Sequence, residues 1–585
     1  MSMLGWRDAP RNAAVATLLY AQHSSAVLQL VSLLVSLAFC WHLFPMEFVI
    51  GTARFWTNPH GLVGQSWADM TTSISGYDAF IKNSWAVPIF EVSQLGYPQG
   101  TNIIYTDSIP IIAIIGRIFY DVTGAAVNPY GAWTVTCFVA SAASLTALVG
   151  LLGARTIPAA CTAAVLACCM PALLYRWGHM ALMAHFQVIL ALAFYAAARR
   201  TRSQAWWLAT SVPLCLLALW TNIYIFAMVA GLVAAATVDT VSHRRLPVKA
   251  GLTVSGVLAA TIAATMALSG HLGNSGSWGA TGYGYYSLNW LSPLVPQFSG
   301  ILPYGLFGGI LDATGGQYEG FSYPGAGILL LIVFSARDIA RWIDRSPDTV
   351  LRLTLLGFVA FAVTPNSCVG DWCTGKTIDL PITATFRSSG RFVWPALYAI
   401  TAAATAFVAT RHRYAVPLLV AAAWLQWVDT APLRNAFANS LNKPAPTELD
   451  AAAWQHALAA SAAVRVFPSF SCLLAAAERP PRAEAEIAIE IQLLASIGGV
   501  PVNSVYAARR QTDCDAEDAS SKNPPPVGSI TVYLASLPGY AAIQSATAAA
   551  PNCRTSPQMT VCVPEKRGLN PSVLTDTVRS GDAAR

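Results

Sequence analysis

Between positions 69 and 107 the chain carries three aspartates, Asp69, Asp78 and Asp107, interleaved with Tyr77, Trp85, Tyr97 and Tyr105. Aromatic faces stack on sugar rings, and carboxylates bind hydroxyls or take a proton, so the mixture suits sugars or polar head groups. The plainer reading is an interfacial belt of aromatics with solvated acids. Arg176, Arg387 and Arg391 stand beside apolar runs, and a guanidinium, with fixed donors that stay protonated, suits an anionic phosphate. Snorkelling to lipid phosphates is the alternative for each. Arg391 follows Ser388-Ser389-Gly390, a turn whose glycine would let a ligand come close. Glu319, in Gly316-Gln317-Tyr318-Glu319-Gly320, could contact sugar hydroxyls or simply end a polar loop. His179 is expected at the mouth between two spans, with His185 one to two turns deeper on the same helix. Such spacing turns the two rings about 120° apart, so they do not form a two-histidine metal face. No paired Cys-x-x-Cys units, phosphate-binding glycine loop or serine elbow stands in a credible context. The cofactor requirement is open: a divalent metal is compatible with these acids but not indicated.

The elements that must position these residues are membrane helices. Of 585 residues, 55% are hydrophobic and only 11% charged, against about 25% charged in an ordinary soluble domain. The net charge of +6 comes mostly from arginines in short breaks between apolar runs, which reports orientation and gives no sign of nucleic-acid binding. About eleven spans are expected, at 26–50, 130–153, 156–174, 180–198, 205–220, 222–241, 250–269, 322–336, 352–365, 392–410 and 414–430. The first is too long for a signal-peptide core and is read as a retained span. Residues 108–120, short and carrying Arg117, suit a helix lying in the interface. The run 205–238 is too long for one span and is broken near Asn222. With these choices Arg7 and Arg11, Arg155, Arg199–Arg202, Arg244–Lys249, Arg337–Arg352 and Arg411–Arg413 share one face, which the positive-inside rule makes cytoplasmic. The outer face then receives 51–129, 270–321, 366–391 and everything after 430.

That last segment changes character. Short β-branched stretches at Val464–Phe467, Ile530–Leu534 and Met559–Val563 alternate with helical patterns at Ala483–Ser496 and Tyr540–Ala549, the signature of a small α/β domain. The chain thus divides at the sequence level into a membrane domain, 1–430, and a periplasmic domain, 431–585. Six of the twelve cysteines lie outside the apolar runs, an even set that fits an oxidising compartment. Cys368 and Cys373 are expected to pair, and Cys472, Cys514, Cys553 and Cys562 to pair among themselves in an order the sequence leaves open.

A long first outer loop with an early acidic residue, interfacial helices and then many spans resembles the C-type superfamily of membrane glycosyltransferases. More narrowly, the chain is similar to a bacterial multi-span family of unknown function. The similarity is carried by Gly96-Tyr97-Pro98-Gln99-Gly100-Thr101, Tyr105-Thr106-Asp107-Ser108-Ile109-Pro110, Arg176-Trp177-Gly178-His179, Gly284-Tyr285-Tyr286-Ser287-Leu288-Asn289, Gly316–Gly320 and Ser388–Phe392. The superfamily's early acid usually sits in a Gly-Asp-Pro setting, whereas here it is Ala68-Asp69-Met70. The resemblance implies a mainly helical membrane protein that transfers a sugar from a polyprenyl-phosphate-linked donor to an envelope glycan, lipid or protein. Asp69 would take the proton from the acceptor or hold an assisting metal, while Asp78, Asp107, Arg176, His179, His185, Glu319, Arg387 and Arg391 would bind substrate. A multi-pass bacterial inner-membrane protein is expected, in contact with membrane lipids, amino terminus inside and carboxy-terminal domain outside. The competing readings are a transporter or flippase, which should show mid-span charges and repeated halves, and a non-catalytic assembly factor.

Overall fold

In the computed structural model, residues 21–52, 66–272, 282–302, 311–345, 348–378, 380–442, 448–476, 481–508, 512–523, 527–564 and 569–575 are described. Arg7 and Arg11 lie outside them. Each expected span falls on a helix: α1 (Ser25–Leu43), α4 (Tyr130–Leu151), α5 (Ile157–Cys168), α6 (His185–Ala198), α7 (Gln204–Leu219), α8 (Ile223–Ser242), α9 (Val248–Ser269), α10 (Ala326–Arg345), α11 (Thr349–Val363), α12 (Trp394–Arg411) and α13 (Ala415–Asp429). The count of eleven crossings is not established by them. Seven helical stretches among the described residues are long and apolar enough to cross a membrane, or eight if α13 and the helix after it, bent by 49°, form one span. Helices α7 and α11 are apolar but shorter, and the second half of α10 carries Arg337, Asp338, Arg341 and Asp344.

The first run differs from expectation for a local reason. Helix α1 stops at Leu43 because Pro45, which has no N–H to donate, forces Phe44 into the extended region (φ −110°, ψ 126°). The split of 205–238 stands where expected. Asn222 leaves the helix and its side chain accepts the Tyr224 N–H at 2.9 Å, capping α8. Small residues let the helices close on one another: Ala159, Ala160, Ala163, Ala164 and Ala167 of α5 are all buried.

The basic loops meet at one end. Arg199 pairs with Asp239 at 3.3 Å and with Asp348, Arg245 donates to the Arg199 carbonyl at 2.7 Å, and Arg411 pairs with Asp338 at 2.6 Å. At the other end lie α2 (Ser66–Lys82) and α3 (Pro110–Thr123). Helix α3 buries Pro110, Ala113 and Gly116 and leaves Ile115, Ile118, Phe119 and Val122 exposed, the division expected of a helix lying in an interface.

Helix α14 (Ala431–Asn442) belongs by packing to the helical part, since Phe437 meets Trp177 edge-on at 4.0 Å and Phe44 at 5.3 Å. Beyond it comes a four-stranded sheet of β1 (Ala463–Phe467), β2 (Ser529–Leu534), β3 (Cys553–Thr555) and β4 (Met559–Cys562), in the order β1-β2-β4-β3. Strands β1 and β2 run parallel, with Val466 opposite Val532, while β2–β4 and β4–β3 are antiparallel. The crossover from β1 to β2 carries α15 (Phe470–Ala476) and α16 (Arg482–Ile497), as a parallel pair requires. Disulfides join Cys368 to Cys373, Cys472 to Cys514 and Cys553 to Cys562.

Candidate functional site

Asp69 lies in the first turn of α2, where the helix dipole favours a negative charge. One turn on, the chain doubles back over the same helix. Ser108 donates to the Ser73 carbonyl at 2.7 Å and Ser73 donates to the Asp107 carbonyl at 3.0 Å. This docking needs Gly76, because a Cβ there would stand 2.1 Å from Thr106 Oγ1 and 2.4 Å from Ser108 Oγ. It holds Asp107 in the left-handed region (φ 55°).

His179 faces both acids. Its Nε2 is 3.3 Å from Asp69 Oδ2 and its Nδ1 3.8 Å from Asp107 Oδ2. The turn that aims it contains Gly178, at φ 96°, a conformation a side chain would disfavour. These three side chains keep between 16 and 26% of their surface exposed. Burial pushes the Asp69 carboxyl above its ordinary range, with His179 and the Tyr506 hydroxyl opposing and Asp107 and Glu319 adding to the rise. Burial pulls the His179 ring down, but Asp69, Asp107 and Glu319 outweigh it and leave the ring more basic than usual.

Behind this accessible layer is a buried one. Glu319 accepts from Arg391 Nε at 2.9 Å and Nη2 at 2.6 Å, and from Arg176 Nη1 on the other side. Burial works against its charge, yet the two guanidiniums hold its carboxyl well below the ordinary range. The motifs that carry Glu319 and Arg391 are pressed together, and onto Gly284–Asn289, through glycines. A Cβ on Gly390 would lie 2.5 Å from Gly320 Cα, and one on Gly320 would lie 2.6 Å from the Ser287 carbonyl. The open side of Gly390 is therefore filled by the Glu319 loop, which corrects the expectation that it leaves room for a ligand.

The other candidates are placed differently. Arg387 is half-buried at the same face, its guanidinium 5.7 Å from the Tyr286 ring centre. His185 does not continue a helix from His179, because a 3-10 stretch, Met180–Met183, separates them. It is fully buried, 4.1 Å from the Trp394 ring and 2.8 Å from the Tyr398 hydroxyl. Asp78 is turned away from the Asp69 group, paired with Lys82 at 2.7 Å and accepting from Ser496 at 3.2 Å. Sequence reasoning missed Tyr506, whose hydroxyl donates to Asp69 Oδ1 at 2.9 Å across a separation of 437 positions. No local pattern around Tyr506 marks it. Among the described residues no group of three or more His, Cys, Asp or Glu side chains is disposed to hold a metal ion.

The arrangement can hold a proton at Asp69, share it with His179, and offer positive charge from Arg387 beside a buried Arg–Glu–Arg triad.

Among solved structures the chain is similar to ArnT from Cupriavidus metallidurans in the apo state, at 13% identity and a TM-score of 0.48, covering 94% of this chain and 99% of that one. It is also similar to the oligosaccharyltransferase AglB from Archaeoglobus fulgidus, in complex with an inhibitory peptide and a dolichol-phosphate, at 12% identity and a TM-score of 0.41. There the match covers 87% of this chain and 69% of that one. No curated protein matches the sequence. Residues 453–564 match the DUF6311 C-terminal domain, and residues 33–431 match the domain of unknown function DUF6311, so the chain belongs to the DUF6311 family.

Proposed function

We propose that this protein is a membrane glycosyltransferase that moves a sugar from a polyprenyl-phosphate-linked donor to a cell-envelope glycan, lipid or protein at the periplasmic face of the bacterial inner membrane. The observation that carries the reading is the layering of the site. An accessible carboxylate, Asp69, is made more basic by burial and stands beside His179, with cationic groups in support. A general base works best when its pKa is drawn towards the operating pH.

In the proposed reaction the acceptor oxygen or nitrogen gives its proton to Asp69 and attacks the anomeric carbon. The bond from that carbon to the carrier phosphate oxygen breaks, and the electron pair leaves with the phosphate. Arg387 is the cation suited to meet it, because among the described residues no carboxylate pairs with it. Arg176 and Arg391 act through their net positive charge around Glu319, being already committed to it. Positive charge aimed at a developing anion in a partly dehydrated site is worth much more than in water. The orientation follows the basic loops, whose ion pairs gather at the end opposite Asp69.

The test has two stages. Mass spectrometry of envelope glycans with and without the gene identifies the acceptor and sugar. Purified protein in liposomes is then given the lipid-linked donor so identified. Transfer that persists in Asp69→Asn, or an unchanged envelope, counts against the reading.

A further inference from the structure

We infer that Tyr506 is a positioning residue for Asp69: its hydroxyl holds one carboxylate oxygen, Oδ1, and turns the other, Oδ2, to His179, so that the carboxy-terminal domain completes the site. This rests on the proposed role of Asp69 for its consequence in transfer, though not for its geometry.

The side chain of an aspartate is loose about its last torsion, and the other group bonded to Asp69, His179, is shared with Asp107. Tyr506 is held far more firmly. Its N–H donates to Gln492 Oε1 at 2.7 Å, its carbonyl accepts from Thr72 Oγ1 at 2.7 Å, and Gln492 Nε2 donates to that same Thr72 Oγ1 at 3.0 Å. Three hydrogen bonds thus link the Tyr506 loop, helix α16 and helix α2, the helix that carries Asp69. Two residues on, the Ala508 N–H donates to the Tyr105 carbonyl at 2.6 Å, and the Tyr506 ring packs on Phe470 at 4.6 Å. Phe470 begins α15, which is tied to the same loop through its own N–H to Ser504 at 2.9 Å and is stapled at Cys472 to Cys514.

The domain is also fastened just before this point in the chain. Lys82 donates to the Ile497 carbonyl at 2.9 Å, Gln94 to the Ala495 carbonyl at 3.0 Å, and the Val502 N–H to the Gln94 carbonyl at 2.8 Å. The hydroxyl therefore has one position, and Asp69 takes its orientation from it. A donor to the ionised form also favours that form, so Tyr506 opposes the effect of burial on Asp69 and keeps the base ready to accept a proton.

The test uses full-length protein and needs no substrate. The infrared carboxyl band of Asp69, isolated by subtracting Asp69→Asn in each background, is followed against pH. Tyr506→Phe keeps the ring and both backbone bonds and leaves His179, Asp107 and Glu319 facing Asp69, Arg387 beside residue 506, and Arg176 and Arg391 behind Glu319. Without the hydroxyl the Asp69 transition is expected to move up by about one pH unit, the size of a hydrogen bond to a charged group. The acid limb of the transfer profile should move with it, in kcat more than in KM. Should Tyr506→Phe not insert, Thr72→Val loosens the carbonyl bond and should give a smaller shift of the same sign. An unmoved Asp69 transition in folded protein overturns the inference even if Asp69→Asn abolishes transfer. A moved transition in a protein that transfers no sugar supports the inference and sinks the transferase reading instead.

Discussion

Both carboxylate oxygens of Glu319 are engaged by Arg391, at 2.6 and 2.9 Å, and Arg176 closes on the same carboxylate from the other side. Side-chain exposures are 2% for Arg176, 5% for Glu319 and 10% for Arg391. Removing the acid would leave two guanidiniums buried without a counter-charge. Breaking a buried pair in this way costs about 3–5 kcal/mol. Glu319→Gln should therefore lower the unfolding temperature in detergent sharply, whereas Arg391→Ala, which leaves the Glu319–Arg176 pair, should lower it less. From sequence, Arg391→Ala is expected mainly to weaken donor binding. The pairing makes lost stability its first effect. A thermal scan of the two variants beside the parent decides it, and an unchanged melting temperature for Glu319→Gln would count against the triad as a structural unit.

Asp69→Asn behaves in the opposite way. The amide oxygen can still accept from Tyr506 and the side chain has the same shape, so folding and insertion should be retained. What is lost is the basic oxygen facing His179. Transfer should fall by at least about a hundredfold, the low end for a positioned base. The comparison is between the two variants: Glu319→Gln loses protein, Asp69→Asn loses rate.

The membrane helices were legible because an apolar run of span length has few other uses, and the break at Asn222 because its side chain caps the next helix. Charge in the loops told which ends lie together. Asp69, Asp107, His179, Glu319, Arg176 and Arg391 could be placed at one end by this counting alone. What counting could not give was pairing. Nothing in Gly316–Gly320 says that its glutamate is spent on two arginines, or that Gly390 is small to admit Gly320. Spacing along an unbroken helix misplaces His185, because a 3-10 turn, Met180–Met183, intervenes. Tyr506 was out of reach, since the bond that gives it a role spans two domains and 437 positions.

Glu490, on the same helix as Gln492, gives the stability a pH dependence of its own. It is buried on α16, where its carboxylate accepts the N–H groups of Glu448 and Leu449 at 2.9 Å. Burial nonetheless pushes its pKa up from 4.5 to about 7. The folded state then holds a proton that the unfolded chain has released, so between about pH 4.5 and 7 stability falls as pH rises. Glu490→Gln, which keeps an acceptor and cannot ionise, should flatten that decline. Hydrogen exchange along α16 in the full-length protein at pH 5.5 and 7.5, corrected for intrinsic rates, reads it. Equal slopes in parent and variant would remove Glu490 as the cause.

Arg199 bonds to Asp239 and Asp348, and Arg411 to Asp338, at the end of the bundle opposite Asp69. If that end is cytoplasmic, as the positive-inside rule predicts from its arginines, a cysteine at position 200 is shielded in whole cells and one at position 520, on the carboxy-terminal domain, is open to an impermeant thiol reagent. The background should be low. The free cysteines, Cys40, Cys137, Cys161, Cys168, Cys169 and Cys215, sit in helices or helix junctions and are buried or half-buried. The other six are in disulfides. Labelling at 520 with protection at 200 that is lifted by permeabilising the cells places Asp69 and Tyr506 outside, where a lipid-linked donor would have to present its sugar. Labelling at 200 with protection at 520 reverses the whole arrangement, and with it the face on which any transfer could occur.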